Sequence, residues 1–120
     1  MEKEFIPYEQ VLALKKLGFD EEVEFYKDLS EEIFDMRTPN DAPCILWQQA
    51  FRWFRKKHEI EATTSCYYSK RLGVSYEERE YHCHIIRDGV TSKGPRYKTY
   101  EEAELVCLKK LISIVKEKQL

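Results

Sequence analysis

No run of uncharged apolar residues in this chain exceeds a handful, so nothing in it could cross a bilayer as a helix, which needs about 20. The four glycines are scattered singly and build no phosphate-cradling loop. Ser92-Lys93-Gly94-Pro95 holds a single glycine and no helix directly behind it. Cys44, Cys66, Cys83 and Cys107 include no C-x-x-C pair and are irregularly spaced, so they read as free, mostly buried thiols of a reducing compartment. Met1-Glu2-Lys3-Glu4 lacks the basic region and apolar stretch of a secretory signal, and the expected location is the cytoplasm. Internal repeats and low-complexity tracts are also missing. No Gly-rich elbow presents a Ser or Cys nucleophile to a base. The expectation is a protein with no catalytic centre and no cofactor.

What remains suits one compact α+β domain. At 120 residues the chain can bury a single core. Its 42% hydrophobic and 35% charged content is that of a globular protein rather than a disordered one. Charge is unevenly spread. Residues 1–42 hold 5 Lys/Arg against 12 Asp/Glu, and residues 43–120 hold 15 against 10, which together give the net −2. The simplest consequence is mutual neutralisation of the two halves. An anionic partner for the basic part is the alternative.

The best-specified element is the last. Thr99-Tyr100-Glu101-Glu102 has the form of a capping box, in which Thr99 accepts from the N–H of residue 102 and Glu102 reaches back to Thr99. Ala103, Cys107, Leu111, Ile114 and Val115 then make one apolar stripe, and lysines crowd the final turns. The helix should run to about Lys118.

Earlier, Pro7 leads into a helix over Tyr8–Leu17, with Gly18 as its left-handed terminator and Phe19 folding back over the last turn. Glu22–Lys27 alternates as a strand. Glu32–Arg37 is its hairpin partner or, through the N-cap candidate Ser30, a helical turn. Thr38–Pro43 reads as a linker. A second helix follows over Cys44–Lys57, then a strand from Ile60 to Tyr68. Arg71–Ser75 is a turn, and a long strand covers Tyr76–Arg87 with Tyr81, Cys83 and Ile85 facing inward. Asp88-Gly89 is a hairpin turn, and Arg96-Tyr97-Lys98 is a short extended piece. The order is α-β-β-α-β-β-β-α. The two helices of residues 43–120 should cover one face of a three-stranded antiparallel sheet and leave the other to solvent or a partner.

Three groups of side chains invite a function. His82 and His84 fall on one side of a strand and could present two imidazoles to a metal, but a zinc site takes three or four ligands and the only other histidine is His58. That count favours a pair of surface histidines and no metal. The open sheet face around Tyr76, His82, His84 and Ile86, with a rim at Trp53, is the expected protein interface. Arg52, Arg55, Lys56, Lys57, Lys70 and Arg71 are the alternative, a nucleic-acid surface.

The helix–three strands–helix order of residues 43–120 resembles the double-stranded-RNA-binding domain. The basic cluster that family uses at the start of its second helix is replaced here by Glu101, Glu102 and Glu104. Phe5–Asp20, Gln49–Arg55 and Thr99–Ile112 also resemble small uncharacterised proteins of bacteriophages and prophages of gut bacteria, in matching order. That likeness implies a phage or mobile-element setting and no site residues. The expected function is that of a non-enzymatic accessory protein that binds another protein, away from membranes, with self-association through a sheet edge as a further expectation.

Overall fold

The computed structural model describes residues 5–23, 25–27, 33–34 and 42–119. The chain divides into two compact units, Met1–Trp53 and Phe54–Leu120.

In the first unit, α1 spans Tyr8–Lys16, with Pro7 at its N-cap. It ends as expected. Gly18 takes φ +101°, its N–H donates to the Lys15 carbonyl at 3.1 Å, and the Phe19 N–H donates to the Leu14 carbonyl at 3.0 Å. These are the two hydrogen bonds of a Schellman motif, which glycine supports because it has no Cβ to clash in the left-handed region. The fold-back carries Phe19 onto Trp53, ring centroids 5.5 Å apart.

Strands β1 (Phe25–Lys27), β2 (Ile33–Phe34) and β3 (Ala42–Cys44) form a small antiparallel sheet in the order β2-β1-β3. Tyr26 pairs with Phe34, so these positions take the strand alternative; Ser30–Glu32 and Asp35–Arg37 lie outside the described residues. The end of the expected linker is itself a strand, since Ala42 and Pro43 pair with Lys27 and Tyr26. Pro43 is tolerated because β3 is an edge strand, where a missing N–H costs no ladder bond. The second helix, α2, consequently starts later than expected, at Trp47, and ends at His58.

The second unit holds β4 (Glu61–Tyr67), β5 (Glu80–Arg87), β6 (Val90–Tyr97) and α3 (Tyr100–Lys118), the strands antiparallel in the order β4-β5-β6. The last turn of α2 joins this unit through Phe54, which is fully buried. Asp88 (φ +53°) and Gly89 (φ +76°) both occupy the left-handed region and close the expected β5–β6 hairpin, a turn whose twist matches the strands. Two readings need correction. Tyr76–Glu78 forms a 3-10 turn, not the start of β5. β6 runs unbroken over Val90–Tyr97, longer than the short extended piece expected at Arg96–Lys98, because a bulge opposite His82 and His84 absorbs the irregular residues.

α3 packs across all three strands. Ala103, Glu104, Cys107, Leu108, Leu111 and Val115 are its buried residues, whereas Ile114 is half-exposed. Beneath it lie Cys83 and Ile85 of β5. Each fully buried Leu or Val contributes about 1.5–3 kcal/mol of hydrophobic stabilisation, so this contact is the core of the unit. The Cys83 and Cys107 side chains interact across the layer, which pushes the Cys107 thiol pKa up and pulls that of Cys83 down.

Candidate binding face of the second sheet

Strand periodicity sends alternate residues to opposite faces. The register therefore lists what β4–β6 shows on the side away from α3. Ser65, His82 and Arg96 form one row, and Thr63, His84 and Lys93 the next. Glu61, Ile86 and Thr91 follow on one side, and Tyr67 opposite Glu80 on the other. Thr63, Thr91, Lys93 and Arg96 are exposed, and Tyr67, His82 and His84 are half-buried. Ile86 is 38% exposed, a large apolar side chain left to solvent.

Two contacts organise this face. The Arg96 guanidinium lies over the Tyr67 ring, 3.7 Å from its centroid, a cation–π geometry that orients the cation without neutralising it. The rings of His82 and His84 lie 4.5 Å apart at 34°, and their Nε2 atoms approach to 2.5 Å. His82 Nδ1 is buried with no hydrogen-bond partner among the described residues. Burial lowers the His82 pKa, and His84, Arg96 and Lys93 push it the same way. Among the described residues neither Lys93 nor Arg96 has a carboxylate partner, so the centre of the face is net positive. Among the same residues, no group of three or more His, Cys, Asp or Glu gathers to hold a metal ion.

A second cluster escaped the sequence reading except for Tyr76. The segment between β4 and β5 is pinched shut by Ser69 and Val74, whose N–H and C=O groups exchange hydrogen bonds at 2.9 and 2.8 Å. The loop so closed holds Leu72 at 68% exposure. Tyr68 and Tyr76 meet edge to face, centroids 5.2 Å apart. The Arg79 guanidinium lies 4.1 Å from the Tyr76 ring centroid and donates to the Tyr81 hydroxyl at 2.8 Å. Tyr, Leu and Arg on a closed loop could have been flagged by composition alone, because aromatics and Arg are enriched at interface hot spots.

The structure thus brings His82, His84 and Ile86 onto one face and puts Tyr76 in the loop cluster. Trp53 is not on any rim. It is 3% exposed, packed on Phe19, so its expected role as an interface residue is corrected to that of a core residue in the first unit. Arg52 faces Glu21 at 3.7 Å, Arg55, Lys56 and Lys57 are exposed along α2, and Arg71 is exposed in the loop. The Lys70 side chain lies outside the description.

Among the described residues no helix is long and apolar enough to cross a membrane. Comparison with protein-family models, with curated proteins and with solved structures finds no match to this chain.

Proposed function

We propose that this is a non-enzymatic accessory protein of phage or prophage type that acts in the cytoplasm by binding another protein through the α3-free face of β4–β6. The observation that carries the reading is the pair Lys93 and Arg96, two exposed cations without carboxylate partners among the described residues, beside half-buried histidines and the exposed Ile86. Such a face is complementary to an acidic surface with an apolar centre, and charge complementarity of this kind sets partner choice and on-rate. The loop cluster of Tyr68, Leu72 and Tyr76 supplies further contact area of hot-spot composition.

The test compares wild type with K93E/R96E and with L72A as baits in host extract, followed by quantitative binding to any protein recovered. The charge reversal is expected to weaken binding at least about tenfold, mostly through the association rate. Binding that is indifferent to K93E/R96E would sink the placement.

Exposed Arg55, Lys56 and Lys57 on α2 support a second reading, a nucleic-acid-binding domain with a degenerate double-stranded-RNA-binding-like fold. The acidic first turn of α3, Glu101 and Glu102, opposes the mode of that family, whose grip on phosphates needs cations there. Gel shifts with duplex and single-stranded probes decide it, because phosphate contacts impose a steep loss of affinity with salt.

A further inference from the structure

The two imidazoles on β5 face each other through their Nε2 atoms, while His82 Nδ1 has no hydrogen-bond partner among the described residues. A neutral imidazole carries a proton on one nitrogen and a lone pair on the other. Two Nε2 atoms facing each other can therefore share one proton, one ring donating and the other accepting. The Nε2 atoms are nearer together than the ring centroids, 2.5 Å against 4.5 Å, so the rings lean toward each other at their nitrogen edges. A metal ion bound by imidazole nitrogens at about 2.0–2.1 Å with a cis angle separates them by about 3 Å. The pair needs to open by only about half an ångström to admit one.

We propose that His82 and His84 form a two-nitrogen chelate for a borderline divalent transition ion of the Cu2+, Ni2+ and Zn2+ class, held between their Nε2 atoms on the α3-free face of β5.

The donor set selects this class. Imidazole suits Cu2+, Ni2+ and Zn2+, whereas Mg2+ and Ca2+ want oxygen ligands, and among the described residues no carboxylate joins these two rings. Strand geometry supplies the preorganisation, because residues two apart project to the same side and the backbone fixes their spacing. Ser65 and Thr63 oppose the histidines on β4, small side chains that leave the rings room to open. Two protein ligands leave the remaining coordination positions to water or to an atom of another molecule. Lys93 and Arg96, opposite on β6, disfavour a bare dication and attract an anionic co-ligand to those open positions. The proposal does not depend on the face being a protein interface.

The probe is Ni2+, because Cu2+ would oxidise the exposed thiol of Cys66. Calorimetric titration of wild type is expected to show one Ni2+ per chain. H82N and H84N are each expected to bind at least about tenfold more weakly, since one of two ligands is lost, and H58N should match wild type. Affinity should fall on acidification, as protons compete for the same lone pairs. Equal uptake by wild type and H82N/H84N, or a loss confined to H58N, would overturn the assignment. A measurement on wild type alone covers failure of a variant to fold: paramagnetic Ni2+ should broaden the ring proton signals of His82 and His84 before those of His58. Broadening of all three together, or of none, also overturns it.

Discussion

Glu59 holds a left-handed backbone, φ +57°, immediately after α2, and its side chain is exposed. A residue with a Cβ costs about 1–2 kcal/mol in that region, whereas glycine enters it freely. Glu59→Gly is expected to stabilise the fold by about 1 kcal/mol, raising Tm by about 4 °C in thermal denaturation. Its neighbour His58 titrates against the fold. Burial, then Lys118 and Lys57, hold its pKa below the ordinary 6.5. The unfolded chain therefore takes up a proton that the folded chain resists, so this contribution to stability is complete above about pH 6.5 and lost as pH falls through the folded value. Denaturant midpoints measured between neutral pH and pH 5 should decline less steeply in His58→Asn than in wild type. At this scale the sequence was a partial guide. Ala50, Trp53 and Phe54 share one helix face, yet the burial of Trp53 depends on Phe19, brought to it by a helix terminus far back in the chain. A pattern within one element does not disclose such a partner.

α3 was the most legible element because local chemistry specifies both its start and its stripe. The Thr99 Oγ1 accepts from the Glu102 N–H at 3.2 Å, as the spacing implies. The reciprocal half differs: the Thr99 hydroxyl donates to the Glu102 carboxylate at 3.1 Å, where the capping box expects the Thr99 N–H to do so. One hydroxyl thus serves as acceptor and donor. Thr99→Ala removes both bonds and is expected to cost about 1 kcal/mol, read as a lower denaturation midpoint, while Thr99→Ser should retain most of the stability. The sheet was less legible where pairing overrides local signals. Gly94-Pro95 falls outside the extended piece expected at Arg96–Lys98, but in an edge strand the proline deprives no neighbour of a bond and a bulge takes up the extra length. Tyr76 continues the alternation of β5 in the sequence; Glu78 instead binds the Ser75 hydroxyl at 2.9 Å and turns that stretch into a 3-10 loop. The binding face inherits this mixture. His82, His84 and Ile86 followed from period-two alternation, whereas their cationic neighbours Lys93 and Arg96 depended on a register no single strand reveals.

Across the molecule, charge follows the division into units. Residues 1–53 contain 6 basic and 12 acidic side chains, and residues 54–120 contain 14 and 10, so the proposed acidic partner is met by the unit of matching opposite sign. Assembly state is a property of the same scale. β6 is an edge of its sheet and carries Lys93 and Pro95, two devices that discourage a further strand from pairing there. Replacing both, in K93T/P95T, is expected to raise the apparent mass in light scattering at high concentration, with wild type unchanged under the same conditions.

Of the four cysteine thiols, only that of Cys66 is open to solvent; Cys44, Cys83 and Cys107 are enclosed. A maleimide dye should thus label the native chain once and the denatured chain four times, which turns labelling stoichiometry into a direct gauge of how much of a preparation is folded. The dye would also sit on β4 at the margin of the sheet, on the side opposite His82 and His84, so that labelling leaves the proposed binding face uncovered.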